Sequence, residues 1–173
     1  IEFCFKNCST GSLPENKGSM LRGGFGHALK SVACHNFSCP ICDDCRSREN
    51  CLFYQIFSAE DRYLPQQKDI PRPYVFRSEC LETDYSEVGK PLRVEMVVFE
   101  HLTCFLPQII QAMEEAGKNG FGIQRVSFLL SRIRVRNARE DFIDYKSEDW
   151  RAKDINPIDL APSFDPAQDK FVS

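Results

Sequence analysis

Five of the chain's nine cysteines fall in one short stretch, CHNFSCPICDDCRSRENC, from Cys34 to Cys51. So many thiols in a polar loop have no packing rationale. The stretch holds two overlapping CxxC pairs, Cys39/Cys42 and Cys42/Cys45. A CxxC turn lets two thiolates converge on one ion, and four thiolates close the tetrahedron of a structural zinc site. The expectation is a loop folded around one metal ion, with zinc preferred to an iron–sulfur cluster, whose four-thiolate requirement the spacing also meets. Five cysteines compete for four places. Cys39 can replace Cys42 or stand free, and His35 is a substitute ligand or, preferably, an exposed bystander. An all-thiolate site has no open position for water, so its role is structural.

The other four cysteines, Cys4, Cys8, Cys80 and Cys104, stand in apolar contexts and read as small buried hydrophobes. An odd count argues against a disulfide framework. The start, IEFCFKNCSTG, lacks a signal-peptide layout, and no apolar run reaches the roughly 18 residues of a membrane span. A reducing, cytoplasmic setting is expected. With 22 basic against 25 acidic residues, bulk nonspecific nucleic-acid binding is disfavoured, while a local basic strip is not.

Hydrophobic periodicity gives the elements. Ile1, Phe3 and Phe5 alternate as a strand. Ser19 is a candidate cap for a helix to about Ala33, with Leu21, Phe25, Ala28, Leu29 and Val32 on one face. Gly23, Gly24 and Gly26 interrupt that helix at about 1 kcal/mol each, which requires something to approach it closely. LFYQIF (52–57) packs back on the core. Tyr74 to Arg77 starts a strand, and Leu92 to Phe99 is the cleanest one. Thr103 is expected to cap a second helix with Leu106, Ile109, Ile110 and Met113 inward, ended by Gly117 or Gly120. From Arg125 to Arg136 a strand switches parity, which a bulge near Ser131 explains. The order strand, helix, strand, strand, helix, strand is that of an α+β, ferredoxin-like (RRM-like) domain. It covers residues 1–139, with the metal loop 34–51 inserted after the first helix. Residues 140–173 read as a polar linker or arm toward a missing C-terminal domain.

The blocks SMLRGGFGHALKSVAC, CDDCRSRENCLFYQIF, PRPYVF and GKNGFGIQRVSF resemble CRISPR-associated proteins of the RAMP superfamily that process precursor CRISPR RNA. The resemblance rests on Leu21, Arg22, Gly23, Gly26, Leu29 and Cys34, then on Cys42, Cys45, Cys51, Tyr54 and Phe57. It implies Cys34, Cys42, Cys45 and Cys51 as the zinc ligands. It also implies tandem ferredoxin-like domains, CRISPR repeat RNA as partner alongside other CRISPR-associated proteins, and a role in antiviral defence. The activity it implies is metal-independent endoribonuclease cleavage. Family members are longer and grip RNA with a glycine-rich loop near their C-terminus, so this fragment alone is expected to be inactive.

Metal-independent RNA cleavage needs a base at a 2′-hydroxyl and an acid at the leaving 5′-oxygen, roles suited to histidine. Of His27, His35 and His101, His27 is the catalytic candidate, because it lies beside Gly23 and Gly26, where a phosphate can approach. Arg22 and Lys30 on the same helix are candidate RNA contacts. So are Arg132, Arg134 and Arg136, which form a period-two stripe on the last strand; nearby Glu140, Asp141 and Asp144 are able to neutralise it. A noncatalytic zinc-stabilised RNA-binding or protein-interaction module is the alternative.

Overall fold

The computed structural model describes residues 1–34, 36, 38–39, 41–57, 72–77, 82–136 and 142–145. Alternating apolar residues build its sheet. β1 (Glu2–Asn7) sends Phe3 and Phe5 into the core. β5 (Pro91–Val98) sends Leu92, Val94 and Met96 to the same side. With β3 (Tyr74–Arg77), β6 (Phe128–Arg136) and β7 (Phe142–Tyr145) they form a five-stranded sheet of order β3-β5-β1-β6-β7. Every neighbouring pair is antiparallel. A small ribbon of β2 (Gly11–Ser12) and β4 (Asp84–Tyr85) lies apart from it.

Two long helices, α1 (Lys17–Ala33) and α3 (Leu106–Asn119), pack against each other and share the core with the inward face of the sheet. The fold is therefore α+β, and among the described residues no element covers the other sheet face. The predicted inward face of α1 is correct: Leu21, Phe25, Ala28 and Leu29 are buried, with Val32 partly so. So is that of α3, where Leu106, Ile109, Ile110 and Met113 are buried. Gly120 ends α3 with φ +86, and its N–H reaches the carbonyls of Ala116 and Gly117. The short α2 (Leu52–Phe57) buries Leu52, Tyr54 and Ile56.

The expected bulge is present. Cys4 faces Arg132 and Phe5 faces Leu130, so Ser131 is the extra residue, its hydroxyl donating to the Cys4 carbonyl at 2.9 Å. The slip keeps Phe128 inward before it and Ile133 and Val135 inward after it, and turns the intervening arginines outward.

Four expectations change. Asn16 caps α1, accepting from the Gly18 N–H at 3.1 Å, so the helix begins before Ser19. A 3-10 turn, Glu100–Phe105, leads into α3, so the capping position is Phe105 and not Thr103, whose carbonyl accepts from the Leu106 N–H. The sheet continues past residue 139 into β7, whose FIDY sequence is too short to stand out beside polar neighbours. Cys8 and Cys104 are exposed and Cys4 is half-buried, since parity places Cys4 on the open face between Phe3 and Phe5. Cys80 lies outside the described residues, as does most of the proposed arm. No helix among the described residues is long and apolar enough to cross a membrane.

Candidate functional site

Gly23, Gly24 and Gly26, in the middle of α1, have different reasons to be small. A Cβ at Gly24 would stand 3.1 Å from the Phe121 ring, and one at Gly26 would stand 3.1 Å from the Phe57 ring. Both positions are small because an aromatic side chain packs on them. A Cβ at Gly23 would meet nothing within 4 Å. Packing therefore does not account for Gly23, although its helix-propensity cost is the same.

Gly23 opens instead onto a groove of about 1070 Å³ between α1 and the end of α3. Along α1 it is lined by Met20, Gly23, His27 and Ser31, which share one face by their spacing of three and four residues. His27 is exposed, one helical turn from Gly23. The opposite wall is the turn Phe121–Val126. Its ends exchange two hydrogen bonds, Phe121 N–H to the Val126 carbonyl at 2.8 Å and Val126 N–H to the Phe121 carbonyl at 3.0 Å. The buried Phe121 packs edge-on to Phe5, centroids 5.9 Å apart, and fixes the turn to the core. Gln124 accepts from the Ser12 N–H at 2.9 Å and ties it to β2.

The other proposed RNA contacts lie elsewhere. Arg22 is exposed on α1 toward the buried Tyr74, whose phenol is pushed up by burial and drawn back by Arg22 and Arg72. Lys30 places its ammonium 5.5 Å from the Phe53 ring centre, a cation–π contact on α2. Neither lines the groove. His35 lies outside the described residues, and of the His101 side chain nothing is described.

Arg132, Arg134 and Arg136 share the open sheet face as expected, but each has a carboxylate. Arg132 pairs with Asp144 across β6–β7, one of the acidic residues expected to neutralise the stripe. Arg134 pairs with Glu2, its Nε donating at 3.0 Å. Arg136 pairs with Glu95 at 3.1 Å. Burial pushes the Glu2 carboxyl up, but hydrogen bonds from Arg134 and Cys4 outweigh it and hold the group below its ordinary range. Burial, and then donation to Glu2, raises the Cys4 thiol to about 11. The hydrogen bond from Arg132 draws Asp144 down. The stripe is part of an ion-paired lattice, so a phosphate there must compete with carboxylates.

In the cysteine loop, a 3-10 turn Cys42–Asp44 closes with the Cys45 N–H on the Cys42 carbonyl at 3.1 Å. A second turn, Arg48–Asn50, closes on Cys51 at 3.2 Å. Cys34 caps the end of α1. These four thiols are free and half-buried, a donor set that suits zinc in type and number. Among the described residues no three acidic, cysteine or histidine side chains stand at metal-binding distance. The fifth thiol, Cys39, donates to the Ile41 carbonyl at 3.1 Å and is hydrogen-bonded to Cys45; loss of water and then the Cys45 sulfur raise it above its ordinary range.

Sequence reasoning singled out His27 but missed the wall facing it. Ile123, Gln124 and Arg125 carried a signal in the glycines beside them, Gly120 and Gly122, both at positive φ.

The model of the AF_1859_N family, an N-terminal domain, matches residues 1–155, and the chain belongs to that family. An uncharacterized protein of Archaeoglobus fulgidus is 32% identical over 108 residues, which are 62% of this chain and 36% of that protein. The matched stretch thus spans little more than a third of that relative. No solved structure matches.

Proposed function

We propose that this N-terminal domain binds CRISPR repeat RNA in a RAMP-superfamily protein that processes precursor CRISPR RNA by metal-independent endoribonucleolytic cleavage. The observation that carries the reading is the pairing of exposed His27 with Gly23, a helical glycine without a packing reason, on one wall of a large groove. In this reading His27 supplies acid or base catalysis, worth typically about 100- to 10,000-fold. Residues outside this chain complete the site, so the chain alone binds RNA without cutting it efficiently.

A ferredoxin-like (RRM-like) fold extended by β7 belongs to the same proposal. Its support is the chain order β1, α1, β3, β5, α3, β6 with neighbouring strands antiparallel. Zinc is the proposed structural ion, held by Cys34, Cys42, Cys45 and Cys51 with Cys39 as the competing thiol. Its support is the pair of 3-10 turns that present Cys42, Cys45 and Cys51. The proposed setting is the cytoplasm, in antiviral defence, with other CRISPR-associated proteins as further partners.

The test is processing of a labelled repeat RNA by the full-length protein without added metal, beside this chain alone. Cleavage by the former and binding by the latter are expected. Binding without cleavage by the full-length protein would contradict the catalytic reading. It would leave a noncatalytic module, which the exposed Val75, Val97 and Phe99 at one corner of the open sheet face favour.

A further inference from the structure

The geometry points to the Phe121–Val126 turn as a preformed clamp for single-stranded RNA, with Arg125 on a phosphate and Ile123 against a base or ribose. This deepens the RNA reading above and rests on it. The first observation is conformational. Arg125 holds φ +52, a left-handed backbone that glycine adopts freely and a branched or long side chain rarely does. The turn already uses glycine at Gly120 and Gly122, where φ is also positive. At Arg125 the chain keeps a cation where glycine would relieve the backbone, and a strained residue at a groove is a pointer to side-chain function.

The second observation is chemical. On a chain with 25 acidic and 22 basic residues, the groove's described lining contains no carboxylate, while Arg125 and His27 both face it. That suits an anionic ligand. The third is the tip of the turn, where Ile123 is fully exposed at 102% beside the groove. A large apolar side chain held out next to a cation matches a ligand that alternates flat apolar bases with phosphates. The size agrees: about 1070 Å³ lies just above the roughly 300–1,000 Å³ typical of small-molecule pockets, which suits a polymer segment. The tethers from Phe121 to Phe5 and from Gln124 to Ser12 mean that the clamp is ordered before the ligand arrives, which lowers the cost of binding.

The experiment measures fluorescence anisotropy of a short labelled single-stranded RNA with this chain, its Arg125→Gly variant and its Ile123→Ser variant across a salt series. Glycine suits the backbone at 125 and serine suits an exposed tip at 123, so melting temperatures should stay at or above the parent's for the first and near it for the second. Arg125→Gly should weaken RNA binding about tenfold and lower the salt slope by about one unit. Ile123→Ser should weaken binding severalfold with the slope unchanged. If both folded variants bind as tightly as the parent, with the parent's slope, the clamp is refuted. That result leaves the His27 reading standing, since cleavage by the full-length protein is measured separately. If labelled poly-glutamate binds the parent more tightly than RNA does and Arg125→Gly abolishes that binding, the groove takes acidic peptide and the inference is overturned.

Discussion

Gly23→Ala should make the domain more stable and a poorer RNA binder at once. The added methyl group at 23 meets no atom within 4 Å, so there is no overpacking to offset the gain in helix propensity of about 1 kcal/mol. For a domain of this size that is a rise in melting temperature of about 3–4 °C. The same methyl enters the groove one turn from His27, where it obstructs the approach of a phosphate. Gly24→Ala is the control from the same helix. It offers the same propensity gain, but its Cβ would sit 3.1 Å from a Phe121 ring that is buried and packed on Phe5 and Phe128. Overpacking a buried ring costs about 1–3 kcal/mol, so the net effect lies between neutral and a loss of about 2 kcal/mol. Thermal denaturation of the three proteins, with RNA titrations of each, reads both effects. A Gly23→Ala variant that melts below the parent would refute the packing assignment. One that melts higher and binds RNA unchanged would refute the claim that ligand approaches at Gly23.

Other outcomes follow from the remaining sites. Metal analysis of the parent should find one zinc per chain; Cys45→Ser should lose it and much of the fold, since structural zinc is worth on the order of 10 kcal/mol in small sites. Arg134→Ala leaves the nearly buried Glu2 without its guanidinium and should cost about 2 kcal/mol at neutral pH, measured by denaturant melts. Because the folded Glu2 carboxyl lies below its ordinary range, the pair's contribution is complete above the unfolded carboxylate pKa. It fades as pH falls through the lowered folded value, so the parent and Arg134→Ala curves should converge in acid. Alanine at Arg132, whose guanidinium is engaged by Asp144, should change the salt slope of RNA binding by less than the full unit expected of a free phosphate contact.

How far the sequence discloses this molecule depends on the range of each interaction. Local periodicity identified β1, β5, α1 and α3, and the parity break at Ser131 disclosed the bulge, because one extra residue inverts which side chains face the core. The caps were missed because Asn16 and Ser19 are both good cap residues, and only the chain's path into α1 selects between them. The role of Gly23 emerges only when Phe121 and Phe57, both far along the chain, are seen to cover Gly24 and Gly26 and leave Gly23 open. The pairing of Arg134 with Glu2 joins residues 132 positions apart, and no spacing rule reaches that far. Arg125 lies within the run GKNGFGIQRVSF, yet its left-handed backbone is a property of the folded turn.

Single-turnover cleavage of a repeat RNA by the full-length protein and its His27→Ala variant, with RNA affinity measured alongside, tests the central claim most directly. His27 is exposed, so the variant should keep its fold and its affinity while the cleavage rate falls by about 100-fold or more. An unchanged rate in the variant would contradict the account and leave His27 as a bystander on the groove wall.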